Sequence, residues 1–91
     1  MKKQTYDSVW DALEDNPVKA KNMKIRSELM AAISLQIEEG GLTQTEAAKR
    51  LHISQPRVSA LLKGKIEEFR LDSLVNMAHR LGLNISVEIA A

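Results

Sequence analysis

Apolar positions in this chain recur first at helical and then at strand spacing. Between about Pro17 or Lys21 and Glu39, Ile25, Leu29, Ile33 and Ile37 return every four residues with Met30 beside them. That predicts one long amphipathic helix, ended by Gly40-Gly41. Ala47, Ala48 and Leu51 share a face of a second, shorter helix, and Val58, Leu61 and Leu62 form the stripe of a third. Ile66 and Phe69 lie in the link that follows and are expected to tuck into the core. Leu71, Leu74, Val75 and Ala78 make the face of a last helix, from Leu71 or Asp72 to Leu81, with Gly82 as its cap. Upstream, Ser8 to about Asp15 reads as a short helix broken by Asn16-Pro17. Beyond Gly82 the period changes to two: Leu83, Ile85, Val87 and Ile89 alternate with polar residues, the pattern of a half-buried strand.

The polar residues between those stripes supply the punctuation. Thr43 and Glu46 have the spacing of a capping box. Ser54 is a good N-cap, and Pro56 is tolerated in a first turn, where its missing N–H has no intrahelical partner. Gly64 follows the third helix where a left-handed residue is favoured. Two short helices joined by the tight corner at His52 make residues 43–63 a helix-turn-helix. Two such helices also occur in domains that only pack, so charge and surface chemistry must separate the readings.

Charge favours DNA. Residues 42–66 carry Lys49, Arg50, Arg57, Lys63 and Lys65 against Glu46 alone, whereas the flanking segments are slightly acidic. A net charge of +1 for the whole chain therefore hides a basic patch. Gln55, Arg57, Ser59 and Lys63 read as the outward residues of the third helix. Arg matches the guanine edge and Gln the adenine edge in the major groove. Gln44 and Ser54 stand at helix starts, where donors meet phosphate. Thr45, Pro56 and Lys65 complete the candidate DNA-contacting set.

The residues also carry a resemblance. The segment LTQTEAAKRLHISQPRVSALLKGK resembles the helix-turn-helix of the Cro/lambda-repressor-like (Xre) family, with Gln44 at the motif's first position, Ala48 at its small position, and Ile53, Val58 and Leu61 at buried ones. His52 departs from it, standing at the corner where the family often has Gly. His is enriched among non-Gly residues with positive φ, so the corner is feasible. SQPRVSALLKGKIEEF with DSLVNMAHRLG behind it, and the upstream SVWDALEDNPVKAKNMK, are similar to the HigA-like antitoxin branch. The resemblance implies an all-α, four- to five-helix lambda-repressor-like bundle. It further implies a dimeric repressor of its own operon that also binds a small basic RelE-like ribonuclease toxin. Many proteins similar in sequence have no known toxin partner, so a stand-alone Xre-type regulator is the alternative.

Three parts are expected: a leader at 1–20, the helix-turn-helix domain at 21–82, and a dimerisation strand at 83–91. A lone strand cannot satisfy its ladder, so Leu83, Ile85, Val87 and Ile89 are expected to pair with the same strand of a second copy. A frayed tail or a cover for the chain's own core are the alternatives. A two-fold dimer would read a palindromic operator. The leader, acidic at Asp7, Asp11, Glu14 and Asp15 around Trp10, either docks on a basic toxin or packs on the long helix.

Composition mostly excludes. With 91 residues, one domain is expected. Three aromatics make the core aliphatic. There is no cysteine, hence neither a disulfide nor a Cys-based metal site. His52 and His79 stand alone and read as surface or packing residues. No Gly-rich phosphate loop and no Ser/His/Asp set is evident, so no catalytic residue, metal or cofactor is expected. The adjacent pairs Glu38-Glu39 and Glu67-Glu68 read as solvated. No run of 18 apolar residues is present and no apolar stretch follows the N-terminal lysines, which predicts a cytoplasmic protein without a membrane span.

Overall fold

Asn16 opens the first element. The computed structural model describes residues 16–91, and in it the Asn16 Oδ1 accepts a hydrogen bond from the Lys19 N–H at 3.1 Å. With Pro17 in the first turn, this starts α1 (Pro17–Glu39), at the earlier of the two expected positions. The short helix expected at Ser8–Asp15 and the acidic surroundings of Trp10 lie outside the described residues. After α1 come α2 (Gln44–Leu51), α3 (Gln55–Leu62), a single 3-10 turn (Ile66–Glu68) and α4 (Leu71–Arg80). Long α1 runs beside α4 and also touches α3 and the 3-10 turn, while α2 packs on α3 and α4.

The buried face of α1 is not the isoleucine stripe. Met23, Met30, Ile33 and Ile37 are buried, while Ile25 is 41% exposed and Leu29 only half-buried. A spacing of four overshoots the turn of 3.6 residues by about 40° each time. Ile25 and Ile37 therefore end up about 120° apart and cannot both face the core. Residues 23, 26, 30, 33 and 37, spaced alternately three and four, stay on one side. Arg26 occupies that series. Its Nη1 donates to the Phe69 carbonyl at 2.9 Å and the Ile66 carbonyl at 3.4 Å. Its Nε is buried with no partner among the described residues.

The core is apolar throughout. Ala47, Leu51, Val58, Ala60, Leu61, Phe69, Leu74, Met77, Ala78 and Leu81 join the α1 residues. Phe69 is the one aromatic in this set, which leaves the core otherwise aliphatic, as composition predicts. Ile66 is half-buried and packs against the same cluster. In α4 the sequence places Val75 inward, but it is 40% exposed and Met77 takes the interior. Val75 lies one residue, about 100°, round from Leu74, at the edge of the buried stripe.

Past α4 the chain turns at Gly82 (φ 81°), and the Leu83 N–H donates to the Ala78 carbonyl at 3.0 Å. Leu83 leans on the core. The expected strand is not formed in the single chain: residues 83–91 have no ladder partner among the described residues. Ile85, Val87 and Ile89 are 42%, 78% and 88% exposed. The reason is the one that alternation itself implies, since one isolated strand has nothing to bond to.

Candidate nucleic-acid interface

Both motif helices begin as their cap residues dictate. Thr43 Oγ1 accepts from the Glu46 N–H at 3.1 Å, and Glu46 Oε1 accepts from the Thr43 N–H at 2.8 Å, so the capping box is complete. Ser54 caps α3, its Oγ accepting from the Arg57 N–H at 3.3 Å. Between the helices, His52 takes φ 61° and ψ 42° and closes α2 through its own N–H on the Ala48 carbonyl. It is the one non-glycine with positive φ among the described residues. The corner thus has the left-handed geometry that usually selects Gly, met by a residue that tolerates it. Arg80 supports the same corner, its Nη1 lying 3.4 Å from the Leu51 carbonyl. Gly64 (φ 75°) ends the unit, and the Lys65 N–H returns to the Ala60 carbonyl.

On α3, Val58, Ala60 and Leu61 face inward. Gln55, Ser59 and Lys63 recur every four residues and form a strip on the opposite side. Gln55 and Lys63 are exposed and Ser59 is half-buried. Pro56 is exposed beside Gln55. Gln44 and Thr45, in the first turn of α2, are exposed, as are Lys49, Arg50 and Lys65. The described residues contain a single ion pair, the exposed Arg70–Asp72 at 3.6 Å. The basic residues of the motif are thus not neutralised by described acids, which leaves a positive surface around the strip.

Arg57 departs from the expected outward set. It is half-buried. Its guanidinium lies over the Phe69 ring, 4.4 Å from the centroid, and Nη1 donates to the Glu68 carbonyl at 3.2 Å. The cause is helical geometry: Arg57 precedes buried Leu61 by four residues, so the two lie on one side of α3. Its long stem crosses apolar surface and the charged end finds an aromatic face and a carbonyl. Arg26 from α1 therefore holds the carbonyls of Ile66 and Phe69, and Arg57 from α3 that of Glu68. Sequence reasoning missed Arg26, whose signal was its place between Met23 and Met30 in the alternating series.

Among the described residues no group of three or more His, Cys, Asp or Glu could hold a metal ion. No helix among the described residues is long and apolar enough to cross a membrane.

A family profile described as a helix-turn-helix domain matches residues 12–90, a span that contains every described helix and the corner at His52. No curated protein matches the chain closely enough to be a relative. The profile and the capped, left-handed corner agree, and the chain belongs to the helix-turn-helix domain family.

Proposed function

We propose that this chain is a sequence-specific DNA-binding transcriptional repressor. The observation that carries the reading is the outer strip of α3: Gln55 and Lys63 are exposed, with half-buried Ser59 between them, on a capped helix whose basic neighbours have no described acidic partner. Gln55 is the base reader, matched to an adenine edge. Ser54, Gln44 and Thr45 meet phosphate at the helix starts, and Lys63 and Lys65 supply neutralising charge. Arg57 serves first by holding α3 against Phe69, and bases are within its role only if it leaves that ring.

The working unit is a homodimer joined through Leu83, Ile85, Val87 and Ile89, which reads a palindromic operator with two copies of α3. Exposure of Ile85, Val87 and Ile89 supports this, because it leaves apolar side chains in water that a second strand would cover. The finer role is that of antitoxin in a type II toxin–antitoxin operon. It would repress that operon and neutralise a RelE/HigB-like ribonuclease toxin in the cytoplasm. That role rests on the resemblance of SQPRVSALLKGKIEEF to the HigA-like branch; a stand-alone regulator is the alternative. The proposal assigns no enzymatic activity.

The test is binding to a duplex selected from a random pool, against random DNA at matched salt. Gln55→Ala should lose about 1–3 kcal/mol of discrimination. Lys63→Ala should weaken both duplexes equally and lower the salt slope by about one. An unchanged ratio in the Gln55 variant removes its base-reading role. Copurification with the product of the neighbouring gene separates the antitoxin from the stand-alone regulator.

A further inference from the structure

Two blocks of opposite charge meet at Asn16. Residues 7–15 hold Asp7, Asp11, Glu14 and Asp15 and no Lys or Arg. Residues 17–27, the first half of α1, hold Lys19, Lys21, Lys24 and Arg26 and no Asp or Glu. None of these cations pairs with a described acid, since the single ion pair among the described residues is Arg70–Asp72. Lys19 also stands in the first turn of α1, which contains no acid, at the positive end of the helix dipole. Anions laid over this half of the helix are favourable on both counts. Beside it runs an open groove of about 610 Å³, walled by Asn22 and Arg26 of α1 and by Arg70, Leu71, Asp72 and Val75 at the start of α4. Val75 is 40% exposed there. Arg26 commits Nη1 to two carbonyls, while its Nε is buried with no partner among the described residues. A guanidinium has five N–H donors, so Arg26 retains capacity for a carboxylate.

We propose that the occupant of this groove is the chain's own acidic segment, residues 7–15, folded back along α1 with Asp11 between Arg26 and Arg70 and Trp10 against Leu71 and Val75. The length of chain suits that path. Asn16 to Arg26 is ten residues, about 15 Å along the helix axis. The five residues back from Asn16 to Asp11 span about 17 Å when extended. Glu14, two residues from Asn16, spans about 7 Å and falls short of Arg26, so it serves the Lys19 end. Trp10 supplies an apolar face for the Val75 wall and an aromatic one for the Arg70 guanidinium. The tether holds the segment at an effective concentration in the millimolar range, so individually weak contacts suffice. One consequence is regulatory. A basic partner that takes up the acidic segment binds only the open fraction, and its apparent affinity falls in proportion. The proposal does not depend on the DNA-binding reading.

Trp10 is the chain's one tryptophan, so indole fluorescence of the full chain reports on this segment alone. In the wild-type chain at low salt, emission should lie to the blue of that in urea. Acrylamide should quench it less, and both signals should be unchanged on dilution. Arg70→Glu and Val75→Asp alter exposed positions, and thermal melting follows the fold of each. Arg70→Glu should lower the ratio of docked to open segment about two- to fivefold. Val75→Asp, which removes the apolar wall and adds an anion facing Asp11, should lower it at least as much. Asp11→Asn should lose protection in the wild-type background and little more when Arg70→Glu is already present. An indole as accessible in the folded wild type as in urea overturns the proposal. Protection that survives both groove substitutions in folded chains places Trp10 elsewhere and overturns it too. Protection lost on dilution assigns the segment to a second copy and overturns the folding-back within one chain.

Discussion

His52 pays for the corner with backbone strain. At φ 61° a side chain with a Cβ is held where glycine sits freely, at a cost of about 1 kcal/mol or more. His52→Gly should raise stability by roughly 0.5–1 kcal/mol, part of the gain being returned as unfolded-state entropy. His52→Val should lower it by about 1–2 kcal/mol, since a branched side chain tolerates that region least. Urea midpoints at constant m-value measure both, and a destabilised Gly variant would mean that the imidazole contributes more than the strain costs. The corner was legible as a motif position. The inward turn of Arg57 was obscured by its charge, which suggests an outward side chain although Leu61 lies one turn away on the same side. Nothing local in the sequence signals that Phe69 would arrive beneath it.

At the scale of elements, pattern and punctuation agree well. Thr43, Glu46 and Ser54 cap the helices they were expected to cap, because those bonds are local and depend on a spacing of three residues. The face of α1 was harder to read, since several apolar residues compete and only packing decides among them. Ile33 is fully buried and Ile25 is 41% exposed. Ile33→Ala should cost about 2–5 kcal/mol. Ile25→Ala should stay near the small values of surface positions, within about 0.5 kcal/mol. Equal losses in thermal denaturation would mean that Ile25 is covered in the assembled protein, which would place α1 in an interface between copies.

For the whole molecule the open question is what faces the tail. Leu83 belongs to the fold of one chain, whereas the residues after it do not. Deleting residues 84–91 spares Leu83 and isolates the strand. Sedimentation should then report a monomer with an intact helical signal, and operator affinity should fall steeply as two-headed binding is lost. A persisting dimer would move the interface to the exposed helix faces around Ile25 and Val75. Long-range assembly of this kind is the least legible level in a single sequence, because alternation predicts a strand without naming its partner.

The Arg57–Phe69 stack has a spectroscopic consequence. Protons on the Arg57 side chain sit over an aromatic face, and ring currents shift such protons upfield. Phe69 is the one Phe, Tyr or Trp among the described residues, and its ring lies directly under the guanidinium, 4.4 Å from centroid to Cζ. If the recognition helix binds DNA as a rigid body, the Arg57 resonances keep their displaced positions. If the guanidinium leaves the ring for a base, they move back toward ordinary values. The molecule thus carries a native reporter of whether recognition uses the surface as folded or remakes it.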